Sequence, residues 1–413
     1  MRILGIETSC DETAVAIVED GRKILSNIVV SQIDIFAAYG GVIPEIAARS
    51  HLEAMMPAVH QAFQVAGFTL PDPTPSSTPT SPNSTSSPIP TLPNLTPNST
   101  QLSQAENTPL ADWSKIDAIA VTHTPGLLGS LLVGTLTART LALLHCKPLY
   151  AVHHLKSHIY ANWLYPTSSS PSDNPSSSPL SPNPTPTFPL LALIISGGHT
   201  QIVKMSAHQQ FEIIGTTKDD AVGECFDKVA KILGLPYPGG PSISKIAKTG
   251  NPQQYHFPHP MPHTLDFSFS GLKTAVLRET QKAVNQPISF PSSKLHQLLS
   301  AQQKADFAAS FEQTATEILI EKLQLALRQN PDTKTLVIAG GVSANQRLRH
   351  HLNLFLEQQN YKSHNKLELF FPEPKFSGDN AAMVASAAFY EITSNLAPTD
   401  PYTLNILPRS HIQ

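Results

Sequence analysis

The run of three short strands that opens the chain recurs in its middle, and this repeat limits the fold more than any other feature of the sequence. Ile3 to Ile6, a polar loop from Glu7 to Thr13, Ala14 to Glu19, an Asp20-Gly21 turn and Ile24 to Val30 form the first copy. Leu190 to Ile195, a Ser196-Gly197-Gly198-His199 loop, Gln201 to Met205 and Phe211 to Thr216 form the second. Short apolar runs bounded by turn residues read as strands. Helical and strand patterns alternate after each copy: Ile43 to Phe63, Ile116 to Thr122, Leu127 to Leu144 and Leu149 to His153 in the first half. Ala221 to Leu233, Ala305 to Gln329, Thr335 to Ala339 and Ala344 to Gln359 follow in the second. A strand meander followed by α/β units, present twice, predicts an α/β protein of two similar lobes facing a cleft, with ligands between them where the loops after the first strands converge.

Two stretches stand outside this pattern. Pro71 to Pro109 and Pro166 to Pro189 are dense in Pro, Ser, Thr and Asn, and no charged residue lies between Asp72 and Glu106. Segments of this kind bury too little apolar surface to offset chain entropy, and repeated proline denies them helix or sheet pairing. Both read as disordered surface insertions. The expected division is therefore a first lobe over 1–165 carrying the insertion 71–109, a second insertion over 166–189, a second lobe over 190–394, and a segment over 395–413 that returns to the first lobe.

At 413 residues the chain is long enough for two substantial cores. Its formal charge of −3 and 14% charged residues leave no polybasic arm, so any nucleic-acid contact has to come from a local patch or a partner. Cys10, Cys146 and Cys225 are too few and too scattered for a disulfide framework, and reduced thiols in a cytoplasmic protein are the simpler reading. The opening MRILGIETS has neither the cationic start nor the long apolar core of a signal peptide. No segment reaches the roughly 18 uninterrupted apolar residues of a membrane span, so a soluble protein without membrane contact is expected.

His154 and His158 lie four residues apart at the start of a helical stretch, which puts both imidazoles on one face and within reach of one divalent metal. Alone, such a pair is more often two surface histidines on an amphipathic helix. Asp379, in Ser377-Gly378-Asp379-Asn380, is the candidate third ligand, because Gly378 permits close backbone approach and the helix that follows stabilises a carboxylate at its start. Two histidines and one carboxylate leave coordination positions open, as catalytic sites do. Ser196-Gly197-Gly198, Pro238-Gly239-Gly240-Pro241 and Ala339 to Asn345 are side-chain-poor loops after strands or before helices, suited to turning N–H groups towards a phosphate. Glu7, Asp11 and Glu12 crowd one loop, an arrangement that repels itself unless a cation, ligand or catalytic task uses it. Asp227 falls on the polar side of a helix, where it is either a cleft residue or a surface acid paired with Lys231.

Longer motifs carry a family resemblance. Gly5 to Thr13, Gly40 to Glu45, Pro125 to Gly134, His153 to His158 and Ile195 to Gln201 follow one another in family order. Gly223 to Lys228, Tyr237 to Pro241, Asp266 to Thr274, Gly340 to Asn345 and Gly378 to Asn380 continue it. Together they resemble the universal family of tRNA adenosine threonylcarbamoyltransferases, whose bacterial branch is called TsaD, and the resemblance spans nearly everything except the two insertions. It implies the duplicated actin/Hsp70-like (ASKHA) fold with an interlobe nucleotide cleft. It also implies transfer of a threonylcarbamoyl group from threonylcarbamoyl-AMP to the N6 amine of adenosine 37, in tRNAs reading codons that begin with A, with release of AMP. Carried over residue by residue, His154, His158 and Asp379 hold the metal, with iron, Fe(2+), favoured and zinc, Zn(2+), as the alternative. Ile194, Ile195, Ser196, Gly197, Gly198, Asp227, Gly240 and Asn345 hold the adenylate. Asp11 and Glu12 are the nearest groups to handle the amine proton. Implied partners are tRNA, a shorter TsaB-like paralogue of the same fold and a small TsaE-like P-loop ATPase.

The chain departs from the family pattern at Lys156 and Ser157, where Glu and Gly are frequent, and at Thr124, where Gly is. Lys156 is expected to point away from the metal face and to alter tRNA or partner contact at most. Rival readings are a metal-dependent (glyco)peptidase, a sugar or acid kinase of the same superfamily and a non-catalytic scaffold. Zinc peptidases with paired helical histidines place a glutamate beside the first one, whereas Leu155 follows His154 here. Kinases need no two-histidine metal site, and a degraded scaffold is expected to lack ligands that this chain retains.

Overall fold

The computed structural model describes residues 1–70, 110–166, 184–362 and 366–412. The first half builds β1 (Arg2–Glu7), β2 (Glu12–Glu19), β3 (Lys23–Ser31), α1 (Ile33–Ala37), α2 (Pro44–Val65), β4 (Ala118–Thr124), α3 (Leu128–Leu144), β5 (Leu149–His153), α4 (His154–Tyr160) and β6 (Tyr165–Pro166). The second builds β7 (Leu190–Ile195), β8 (Thr200–Ala207), β9 (Gln210–Thr216), α5 (Val222–Leu233), α6 (Gly239–Ala247), α7 (Ser270–Ala283), α8 (Ser292–Leu295) and α9 (Ala301–Gln329). It continues with β10 (Thr335–Ala339), α10 (Gln346–Lys362), β11 (Glu368–Phe370) and α11 (Ala381–Thr393).

The repeat read from the sequence is a repeat of topology. One sheet runs β5-β4-β1-β2-β3-β6 and the other β11-β10-β7-β8-β9. In each, the first three strands pair antiparallel and the next two add in parallel beside the first. This is the two-lobed, duplicated architecture expected of the actin/Hsp70-like class. Alternation along the strands decides which core each residue joins. Leu4, Ile6, Val15 and Ile17 pack outwards against α2 and α3. Leu191, Leu193 and Ile195 pack outwards against helices of the second lobe, among them α5 and α9. Ile3, Ala14 and Ala16 share a third core with Leu190, Ala192 and Ile194, and this core is filled by α4 and α11. Both sheets are thus covered on two faces, which is why β1 and β7 read as continuous apolar runs.

Two expected boundaries move. The second lobe does not extend to residue 394, because α11 lies on β1 and β2. It approaches so closely that a Cβ on Gly5 would sit 2.2 Å from the Ala381 carbonyl oxygen, so an apolar helix at the end of the second-lobe sequence completes the first lobe's core. The insertion expected over 166–189 is also shorter. Pro166 pairs with Ile24, Thr187 N–H donates to Thr335 Oγ1 at 3.1 Å, and Phe188 packs against the shared core. The remainder of that tract, 167–183, and the whole of 71–109 lie outside the described residues. Downstream of α11, Thr399 N–H donates to the Leu149 carbonyl at 2.7 Å, Leu404 enters the outer core of the first lobe, and Thr124 Oγ1–H donates to the Leu407 carbonyl at 2.6 Å.

Candidate active site in the interlobe cleft

Strand β5 runs directly into α4, so its last residue fixes where the helix begins. His153 is that residue, and its Nδ1 accepts the Leu155 N–H at 3.2 Å. Burial, with Lys156 and His154 nearby, pushes the His153 imidazole down to about 3, consistent with a neutral, accepting ring. One residue on, His154 and His158 share a helix face with ring centroids 4.6 Å apart. Both are buried, which removes the reading as two surface histidines. Asp379 enters from the turn before α11. That turn is closed by Asn380, whose Nδ2 donates to the Phe376 and Gly378 carbonyls at 3.2 and 2.9 Å and whose Oδ1 accepts the Met383 N–H at 3.1 Å. The close approach expected at Gly378 is absent: a Cβ there would meet nothing within 4 Å.

Asp379 Oδ1 stands 3.1 Å from His158 Nε2 and 3.6 Å from His154 Nε2. Ligand atoms at metal distances of about 2.0–2.1 Å in tetrahedral array lie roughly 3.3 Å apart, so the two separations bracket that value. Both ring nitrogens of His158 are buried; Nδ1 has no hydrogen-bond partner and Nε2 meets only the Asp379 carboxylate, without hydrogen-bond alignment. Orphaned buried nitrogens facing a carboxylate fit a divalent metal better than a closed hydrogen-bond network.

Glu7 completes this arrangement, and it is the residue whose role the sequence reading missed. Fully buried at the end of β1, its carboxylate accepts the Ser9 N–H at 2.6 Å and the Thr122 Oγ1–H at 2.6 Å, and lies 3.1 Å from His154 Nδ1. Carboxylate oxygens only accept, so His154 carries its proton on Nδ1 and turns Nε2 towards Asp379. Burial alone would raise the Glu7 carboxyl, but His154 beside it brings it below the usual carboxylate range. Burial would likewise lower His154, but Asp379 and Glu7 lift it to about 9. Burial raises Asp379 too, and His154 and His158 outweigh it, holding the group well below its ordinary value. The two carboxylates demand positive charge between them. The signal available in the sequence was an acid ending an otherwise apolar strand.

The acidic loop forms the adjacent wall. Cys10, Asp11 and Glu12 line the cleft together with His154 and Asp379. The Glu12 carboxyl is pushed up to about 10 by burial, by Asp379 and by Asp11, and burial and Asp11 also raise the Cys10 thiol. The Pro125-Gly126 turn presses on this loop: a Cβ on Gly126 would lie 2.6 Å from the Ser9 carbonyl oxygen.

Across the cleft, the second lobe presents Ser196, Gly197, Gly198, Asp227, Gly240 and Asn345. Ile194 and Ile195 are not on this wall. They are fully buried in β7, where they carry the Ser196–His199 turn without facing the cleft. Asp227 does not serve as a surface acid paired with Lys231; its Oδ1 accepts the Gly239 N–H at 2.7 Å, at the start of α6. Asn345 donates to Glu312 Oε1 at 2.7 Å and Ser244 Oγ at 3.0 Å, and Arg347 Nε–H donates to Glu312 Oε2 at 3.0 Å. Ser244, Glu312 and Arg347 are cleft residues that the sequence reading did not single out. The cleft measures about 1360 Å³, within reach of a nucleotide-sized ligand plus an acyl group.

Lys156 is half-buried, its Nζ lies over the Phe211 ring at 4.7 Å, and its charge acts on buried Glu391 of α11. Ser157 is buried, with Oγ–H donating to the His153 carbonyl at 3.3 Å.

A family model described as tRNA N6-adenosine threonylcarbamoyltransferase matches residues 23–74 and 102–386. The break between the two matched ranges falls within the first proline-rich tract. Proteins with that name are similar along almost the whole chain. The one from Symbiobacterium thermophilum is 41% identical over 391 residues, covering 94% of this chain and 91% of the relative. That from Thermomicrobium roseum is 41% identical over 398 residues, covering 94% and 92%. That from a Nostoc species is 40% identical over 414 residues, covering 98% and 96%.

Proposed function

The chain belongs to the tRNA N6-adenosine threonylcarbamoyltransferase family, and from that premise we propose how its cleft performs the transfer. The enzyme moves a threonylcarbamoyl group to the N6 amine of adenosine 37 in tRNA. The donor in this reading is threonylcarbamoyl-AMP. The amine nitrogen forms a bond to the carbamoyl carbon, the bond from that carbon to the phosphate oxygen breaks, and AMP leaves with the electron pair.

Gly197 and Gly198 offer backbone N–H groups to the phosphate, on a turn closed by the Ser196 N–H donating to the His199 carbonyl at 2.9 Å, while Asp227, Gly240 and Asn345 hold the nucleoside. His154, His158 and Asp379 hold a divalent metal, iron by preference and zinc as the alternative. Such an ion would supply Lewis acidity towards negative charge developing on the carbamoyl oxygen. Glu7 orients His154 for that task. Asp11, on the wall beside the ligands, takes up the proton lost by the amine, while Glu12, raised to about 10 and so protonated at neutral pH, shares its own proton with Asp11. The observation that carries this reading is the convergence of ligand atoms of His154, His158 and Asp379 within 4.8 Å of one another, with His154 and Asp379 bordering the same cleft as the glycine-rich loops. A peptidase reading lacks the glutamate beside the first histidine, and a scaffold reading leaves the convergent ligands without purpose.

Partners in this reading are tRNA, a TsaB-like paralogue of the same fold and a TsaE-like P-loop ATPase. Among the described residues no helix is long and apolar enough to cross a membrane; a tRNA substrate supports a cytoplasmic location. The deciding experiment supplies purified protein with threonylcarbamoyl-AMP, its partners and unmodified tRNA, and follows label into adenosine 37. Label in the nucleoside, together with AMP release, is expected. No transfer with every component present overturns the reading.

A further inference from the structure

We propose that His51 is a positioning residue for the transfer, holding the stretch from Cys10 to Thr13 so that Asp11 and Glu12 keep their place on the cleft wall. His51 lies in α2, on the outer side of the first sheet, and is fully buried. Its Nε2 is 3.0 Å from the Cys10 carbonyl oxygen. A carbonyl only accepts, so Nε2 carries the proton. Nδ1 is then the acceptor, and it takes the Thr13 Oγ1–H at 2.7 Å and the Gln32 Nε2–H at 3.3 Å. Burial lowers this imidazole below its ordinary value, in keeping with the neutral tautomer the bonds require.

Both edges of one rigid ring thus grip the same short segment, at Cys10 on one side and Thr13 on the other. The two residues between the grips are Asp11 and Glu12. Neighbouring groups reinforce the hold: Gln32 N–H donates to the Asp11 carbonyl at 3.1 Å, and Ser130 Oγ–H donates to the Cys10 carbonyl at 3.3 Å. A histidine serving only to fill the core has no need to spend both nitrogens on one loop. An imidazole does what an aliphatic side chain of equal volume cannot, because it presents a donor and an acceptor on opposed edges at fixed separation.

The inference rests on the reading that Asp11 and Glu12 handle the amine proton, and it is tested in the complete protein with its partners. His51→Phe keeps volume and removes both bonds. His51→Gln restores a donor of similar reach. Thr13→Val removes only the bond to Nδ1. Sub-ångström to ångström displacement of a reacting group lowers turnover on the order of 10- to 100-fold, and that loss in kcat is expected for His51→Phe. Its KM for threonylcarbamoyl-AMP and its bound Zn2+ per chain should stay at wild-type values. Partial recovery is expected in His51→Gln and an intermediate kcat in Thr13→Val. Wild-type kcat in His51→Phe and Thr13→Val overturns the proposal. A parallel loss of kcat, bound Zn2+ and melting temperature in all three variants, with no recovery by glutamine, also overturns it, since that is the signature of general damage to the core. Asp11→Asn and Glu12→Gln, measured alongside, separate the two failures. Full turnover in both removes the proton-handling reading and this inference with it. Reduced turnover in either, beside an unimpaired His51→Phe, removes only the role of His51.

Discussion

Replacing Glu7 by glutamine tests the metal site without touching a ligand. The Glu7 carboxylate faces three donors: the Ser9 N–H, the Thr122 hydroxyl and His154 Nδ1–H. Glutamine offers one oxygen and one NH2 group in their place. If the NH2 replaces Oε1, it opposes the Ser9 N–H. If it replaces Oε2, Thr122 can turn its hydroxyl to accept, but His154 Nδ1–H is left facing a donor. The imidazole then escapes the clash only by moving its proton to Nε2, the nitrogen aimed at Asp379. Loss of a partner of this kind lowers metal affinity by about 10- to 100-fold, or about 1.5 to 3 kcal/mol. Folding without metal should suffer as well, because the unpaired donor costs about 1–3 kcal/mol and the attraction to His154, which outweighs the repulsion from Asp379, is lost. Competition for Zn2+ against a chelator of known affinity measures the first quantity, and urea unfolding of the metal-free protein measures the second. In either orientation the carboxylate charge behind His154 is gone, so an unchanged Zn2+ affinity in Glu7→Gln refutes the role of Glu7 in the site.

His158→Ala should abolish stoichiometric metal and collapse transfer, whereas Lys156→Ala should leave metal content untouched; elemental analysis beside thermal unfolding decides, and full metal and turnover in the His158 variant sink the ligand assignment. Glu391 gives a pH-dependent prediction: burial, opposed by Lys156, raises its carboxyl from 4.5 to about 7. The folded form holds this proton more tightly than the unfolded form, so the contribution is full below about 4.5 and is lost as pH rises through about 7. Glu391→Gln should therefore raise stability by up to roughly 3 kcal/mol at pH 8 and by almost nothing at pH 4, and equal urea-unfolding shifts at both pH values would contradict the assignment. Deleting Pro73 to Gln104 should leave melting temperature and transfer nearly intact, because Leu70 N–H and Asp112 N–H bond the Leu110 and Phe68 carbonyls at 2.7 and 2.8 Å and hold the flanks together. A large drop in either quantity would show that the tract supports the fold.

The strand meanders were legible because burial on both faces leaves unbroken apolar runs, and β5, β7 and β10 begin and end where those runs do. The cluster of His154, His158 and Asp379 was legible because two of its members share one helix turn, a spacing fixed by local geometry. Glu7, Ser244 and Glu312 were not, since each acts through partners remote in sequence: Glu7 through His154 and Glu312 through Asn345 and Arg347. Ile194 and Ile195 illustrate the opposite failure. A motif that runs from a strand into a loop names both, while only the loop reaches the cleft. The placement of α11 also escaped, because its apolar residues fit either lobe, and only the missing side chain of Gly5 marks where it docks.

That docking has a consequence for how the protein is made. A chain emerges from the ribosome N-terminus first, and domains generally fold as they appear. Here β1 to β5 emerge early, but the helix that covers one face of their sheet is synthesised only after the whole of the second lobe. Until Ala381–Thr393 is available, the nascent first lobe presents Ile3, Ala14 and Ala16 on an uncovered sheet face. The second lobe has its outer helices in hand sooner and can consolidate first. The histidine pair waits over the same interval for Asp379, which lies two residues before that helix. A nascent chain stalled before this point would therefore be an aggregation hazard with an incomplete histidine–aspartate cluster, whereas the finished chain closes its core and its candidate site in one late event.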